Sequence, residues 1–249
     1  MSVIKKYVRT YVLILIALVF TTCKKDHLLD CMTSTGKVIT EHRKPGSFTK
    51  LNVKDNVDVI YHYDTICKLT VTAGQNLIDG IITELEGNTV YIRNENKCNW
   101  VRSFKNTYTI DVYAPEIENV QMFGSGDFTT ADTLRTADFF LESWNASGSA
   151  MVFLYCDQSH LINNIGRMDI TAKGKTRVSF IYINDTGVLN AQELKSDYCY
   201  IRSSTTGKCS VAANIALGVE IRSVGNVYYF GNPQQIDQDI TGSGNLISR

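Results

Sequence analysis

Apolar and polar residues alternate in short runs along the chain, and from its midpoint onward each run starts at a glycine. The segments SGDFTT, SGSAMV, IGRMDI, TGVLNA, TGKCSV, VGNVYY and SGNLIS place glycines at 126, 148, 166, 187, 207, 225 and 244. Successive gaps are 22, 18, 21, 20, 18 and 19 residues. Two residues beyond each glycine stand Phe128, Ala150, Met168, Leu189, Cys209, Val227 and Leu246, all apolar. Between glycine and apolar residue come Asp127, Ser149, Arg167, Val188, Lys208, Asn226 and Asn245, polar or charged at every position but Val188. A period of two nested inside a period of about 20 predicts strands repeated in stacked coils.

Further apolar stretches, DFFLESW from Asp138, VSFIYI from Val178, YCYIRS from Tyr198 and GVEIRS from Gly218, fill the second half of several repeats. Each coil should therefore hold two strand-forming arcs joined by corners, with glycine where a Cβ would obstruct the backbone. The expected fold is all-β, a β-solenoid with coils of about 20 residues and glycine corners. A sandwich or barrel of hairpins turning every 8 to 12 or so residues is the competing reading, because half the observed period falls in that window.

Upstream of the beats, FTKLNVKDNVDVIYHY, CKLTVTA, NTVYIRN and NTYTIDVYAPEIENVQMF also alternate like strands. In GQNLIDGIITEL, Leu77, Ile78, Ile81 and Ile82 can share one helical face, which predicts a short helix. No Pro-, Gly- or Ser-rich linker separates this part from the repeats, so residues 46–249 read as one domain.

The start of the chain has a different character. Lys5, Lys6 and Arg9 precede YVLILIALVF, an uninterrupted apolar or aromatic run too short for the roughly 20 residues that cross a bilayer. Small residues and Cys23 follow, so residues 1–22 read as an export signal of the lipoprotein type and Cys23 as the lipidated residue. Phe20 and Thr22 depart from the usual leucine and small residue of that pattern. Residues 23–45 then form a polar tether, and a lipid anchor makes the membrane a partner. The expected location is the cell envelope, as an outer-membrane lipoprotein facing the periplasm or the surface.

Composition narrows the chemistry. Lys+Arg 25 balances Asp+Glu 25, which leaves no basic field for nucleic-acid phosphates. An exported chain meets an oxidising compartment, where Cys31 and Cys98, both in polar, turn-like contexts, are the candidate disulfide. Cys209 sits in the apolar column and is expected as a free buried thiol. His27, His42, His62 and His160 are scattered and show no metal-ligand spacing, so neither metal nor cofactor is expected.

The segments SFTKLNVKDNVDVIYHY, AGQNLIDGIITELEGNTVYIRN, YAPEIENVQMFGSGDF and GNVYYFGNPQQIDQDITGSGNLI, with the glycine beats between them, resemble the head GIN domain family of auto-transporter adhesins. The middle beats depart from its pattern, with IGR, TGV and TGK in place of Gly-Ser-Gly. The resemblance implies a right-handed β-helix like that of pectin lyases, no catalytic residues, and a role in adhesion.

Two functional classes follow. The first is a non-enzymatic binding scaffold for a glycan, a protein or another copy of the chain, with Trp100 and Tyr228 as rings that could stack on sugars. The second is a carbohydrate-active lyase or hydrolase on the same scaffold, for which Asp127, Asp169, Arg167 and Lys208 would supply acid, base and charge on the outward register. The plain alternative for those four is a solvated face.

Overall fold

The computed structural model describes residues 34–97 and 108–249, of which 35–96 and 108–249 form one compact unit. The expected signal, Cys23, Cys31, Cys98 and Trp100 lie outside the described residues. The first half of the chain contributes β1 (Val38–Arg43), β2 (Lys50–Asp55), β3 (Asp58–Tyr63), β4 (Lys68–Gly74), β5 (Ile81–Glu86), β6 (Thr89–Asn94), β7 (Thr109–Ala114), β8 (Asn119–Gly124) and β9 (Phe128–Thr130). The second half contributes β10 (Leu134–Trp144), β11 (Ser149–Ile165), β12 (Asp169–Asp185), β13 (Val188–Thr205), β14 (Cys209–Ala212), β15 (Ala216–Ile221), β16 (Val227–Phe230), β17 (Gln235–Ile240) and β18 (Leu246–Ser248).

Pairing runs through two long parallel ladders and a short third one, and together they make a β-solenoid. The third stacks residues 134–136, 154–156, 174–176 and 194–196, so the middle coils carry three arcs where two were expected. The first ladder passes β6, β2 and β8, then the C-terminal halves of β10 to β13, then β15 and β17. The second passes β7, β3 and β9, then the N-terminal halves of β11 to β13, then β14, β16 and β18. Antiparallel strands close one end: β5 lies on β6, and β4 followed by β1 on β7. β1 occupies residues expected as tether, so the sheet begins before position 46.

The first coils do not stack in chain order. Lys50 of β2 pairs with Asn119 of β8 on one side and with Thr89 of β6 on the other. The coil carrying β2 and β3 is thus held between two coils that come later in the sequence.

The expected helix is a single 3₁₀ turn, Ile78–Gly80, after which Ile81 enters β5. β-branched Ile81 and Ile82 and a central glycine are poor helix formers, and the open edge of β6 offers the segment a full set of partners as a strand. Leu77, Ile78 and Ile81 are buried all the same.

Like positions stack in columns. In the second ladder Val59, Phe128, Ala150, Ile170, Leu189, Cys209, Val227 and Leu246 lie in register, all buried except the half-buried Leu246. The facing ladder stacks Leu51, Val120, Leu141, Leu161, Ile181, Ile201 and Val219, each buried, and closes on exposed Gln238. Each such Leu, Ile or Phe contributes about 1.5–3 kcal/mol by leaving water. Cys209 is buried without a disulfide partner, and burial pushes its thiol up to about 11.

One coil is registered differently from the glycine count. Ile170, not Met168, belongs to the apolar column, and Met168 stands where other coils have the corner glycine. Its side chain is fully buried, and the corner there is completed by the Asn163 amide, which donates to the Gly166 and Asn184 carbonyls. Gly166 instead packs on Ala146, and a Cβ on it would lie 2.4 Å from the Ala146 carbonyl oxygen.

Candidate functional site

The outward side chains of the two ladders hold the candidates. On the second ladder, Ser149 pairs in register with Asp169, and Asp127 occupies the same outward column one coil before. The Asp127 carboxylate accepts bonds from the Ser149 amide at 2.7 Å and hydroxyl at 2.8 Å, while the Asp127 amide donates to the Asp58 carboxylate at 3.0 Å. Asp58, Asp127 and Ser149 thereby tie coil to coil. Burial raises the Asp58 carboxyl above its ordinary range, offset by the bond from the Asp127 amide and reinforced by the Asp127 charge.

Asp169 lies two strand spacings from Asp127, about 10 Å, with Ser149 between them. Arg167 falls outside that column, because its coil is shifted relative to the glycine count, and no salt bridge joins it to either aspartate among the described residues. Asp127, Asp169 and Arg167 are therefore not brought to one point. Tyr228 lies on the same ladder with Lys208 4.8 Å and Arg249 5.2 Å from its ring centroid. Those cations occupy the ring, leaving it poorly placed to stack on a sugar.

The first ladder carries a feature that the glycine beats do not mark. Phe140, His160, Phe180, Tyr200, Gly218 and Asp237 are in register on successive strands. The four rings stack nearly parallel, with centroid spacings of 4.0, 4.9 and 5.6 Å. Strand spacing sets this file, since identical positions recur every 4.7–4.9 Å or so, close to the preferred separation of stacked rings. Phe180 and Tyr200 remain partly exposed.

The file stops at Gly218. A groove of about 570 Å³ opens beside it, lined among others by Phe180, Tyr182, Tyr200, Gly218 and Asp237. Along one side runs an ion-pair chain in which Arg202 donates to Glu220 at 2.7 Å, and Arg222 to Glu220 at 3.0 Å and to Asp239. Both arginines hold the Glu220 carboxyl below its usual range. Exposed pairs of this kind are screened by solvent and contribute little, so they shape the groove more than they stabilise it. Among the described residues no three His, Cys, Asp or Glu side chains converge as metal ligands.

His160 gives the file a pH response. Burial between Phe140 and Phe180 lowers the imidazole pKa, while the Asp138 and Glu142 charges act the other way. The net shift is downward, so the neutral ring is favoured in the fold. Its contribution is complete above the unfolded value of about 6.5 and is lost as pH falls below it towards the folded pKa. Thermal melts between pH 7.5 and 5 should show a fall in Tm that is smaller in His160→Phe; equal falls would remove His160 from the account.

Comparison with known proteins bears on this architecture. The family model described as "Putative auto-transporter adhesin, head GIN domain" matches residues 47–233. The chain belongs to the head GIN domain family. Among solved structures, one described as "a putative adhesin" from Bacteroides fragilis is similar with a TM-score of 0.79 at 21% identity, covering 86% of this chain and 97% of that one. A "putative adhesin" from Parabacteroides distasonis has a TM-score of 0.66 at 17% identity, covering 86% and 98%. A "Putative lipid binding protein" from the same organism has a TM-score of 0.64 at 20% identity, covering 87% and 98%. At these identities the structural likeness shows a shared fold alone. No curated protein matches the sequence. In this head GIN domain, then, the outward surface of a conserved architecture is where function is to be sought.

Proposed function

We propose that this head GIN domain protein is a non-enzymatic binding scaffold of the cell envelope, adhesin-like in role, whose ligand surface is the groove at the end of the aromatic file. The observation that carries the reading is the file itself: Phe180, Tyr182 and Tyr200 leave apolar ring surface beside a groove edged by charged groups. Apolar surface with a few convergent polar groups is what ligand sites offer. The family description points the same way. The enzymatic alternative placed acid and base on Asp127 and Asp169, which stand two strands apart with Asp127 bonded to Ser149.

Anchoring is part of the proposal. Removal of residues 1–22 and acylation of Cys23 would tether the solenoid to the outer membrane. The purified domain should bind members of a glycan array or a panel of immobilised extracellular proteins, and Phe180→Ala/Tyr200→Ala should lower that binding at least about tenfold with little change in melting. Undiminished binding by the double variant would overturn the groove as the site. Full-length protein should partition with membranes, and Cys23→Ala should release it.

A further inference from the structure

We propose that the groove beside Gly218 is a receptor for a guanidinium group, the side chain of an arginine on a partner protein. This rests on the reading of the groove as the ligand surface and names what enters it.

The argument starts from the interrupted column. On successive strands the outward position is Phe140, His160, Phe180 and Tyr200, then Gly218, then Asp237. Gly218 leaves one place in the file without a side chain. The Tyr200 ring leans into that place, with its Cδ1 2.8 Å from where a Cβ would stand. Tyr200 and Asp237 are two strand spacings apart, about 10 Å along the file. Beyond the leaning ring the groove is open and Asp237 lines it, so a flat group lying on the exposed Tyr200 ring can turn its edge to that carboxylate.

Charge selects the group. The groove's lining carries Glu220, Asp237 and Asp239 against Arg202, and Arg222 lies behind it on Glu220 and Asp239. Both arginines are engaged with Glu220 and Asp239. Asp237 accepts from the Gln235 amide at 2.7 Å and forms no salt bridge among the described residues, so one negative charge stands over. A site with an aromatic face on one side and an uncompensated carboxylate on the other calls for a cation. A flat cation with donors along its edge fits better than a spherical ammonium, because it can stack on the ring and donate to the carboxylate together.

The test uses the full chain and three blocked tripeptides, glycine-X-glycine, with X arginine, lysine or citrulline, followed by amide chemical shifts. The arginine peptide should shift signals of Tyr200, Gly218 and Asp237, with the lysine and citrulline peptides weaker by about tenfold. Asp237→Asn, which keeps shape and removes charge, should weaken the arginine peptide about tenfold. Tyr200→Leu, which removes the stacking face, should abolish the shifts, while Gly218→Phe, whose Cβ would meet the Tyr200 ring at 2.8 Å, should fill the groove and lower the melting temperature. Equal binding of the three peptides, or an arginine response indifferent to Asp237→Asn, would overturn the proposal. If the arginine peptide is silent but Gly218→Phe still blocks a ligand found on the arrays, the guanidinium assignment falls and the groove stands.

Discussion

Gly126→Ala is expected to destabilise the protein by about 2–4 kcal/mol, read as a lowered midpoint in urea denaturation. A Cβ at this position would lie 1.9 Å from the Val57 carbonyl oxygen, inside any possible contact. The same geometry repeats up the corner: Gly148 over the Gly126 oxygen at 2.1 Å, Gly207 over Gly187 at 2.3 Å, Gly225 over Gly207 at 2.2 Å. Backbone meets backbone here, so relief requires moving whole coils and breaking ladder bonds on both sides. Gly87→Ala is the control. That glycine has φ of 61° but nothing within 4 Å of a Cβ, so it should cost only the conformational strain, about 1 kcal/mol. Equal effects of the two would refute the close-contact account.

Phe128→Ala should cost about 3–5 kcal/mol by the same measurement. Phe128 is fully buried, lies in register between Val59 and Ala150, and is among the largest side chains of the core. It bridges the N-terminal coils to the repeats, and its small neighbour Ala150 cannot spread to fill the space. Phe128→Leu, which keeps most of the volume, should lose less than half as much. A loss under about 1 kcal/mol for the alanine variant would mean that the column is not the main source of cohesion.

How far the sequence reveals this can be judged from these same residues. Phe128, Leu189, Cys209 and Val227 were legible as an inward column because consecutive coils of similar length keep like residues in step. Counting from Gly166 puts Met168 in that column, but two glycine columns exist. Gly124, Gly166 and Gly242 belong to one, Gly126, Gly148, Gly187 and their successors to the other. A count that accepts any glycine slips by two residues at the coil that keeps only the first of the two, Gly166, with Met168 in place of the second. The pairing of β2 with β8 was invisible for a different reason: a period describes coils that follow one another, and these do not.

The aromatic file was present in the stretches holding Phe140, Phe180 and Tyr200, at intervals that match the coil, yet counting from the glycines directs attention to the other ladder. Gly218 and Asp237 acquire meaning only once the register puts them in line with Tyr200.

The inverted order of the first coils governs how the molecule can assemble. β2 and β3 are made early but find no parallel neighbour until β6 and β7 on one flank and β8 and β9 on the other have emerged. Closing those distant pairings is slow, because chain entropy is lost before contacts repay it. After β9 each new winding has a finished template beneath it and can be added one at a time. The N-terminal half, through β9, is thus a lock whose strands must close on one another together, and the remainder grows from it like thread onto a spool.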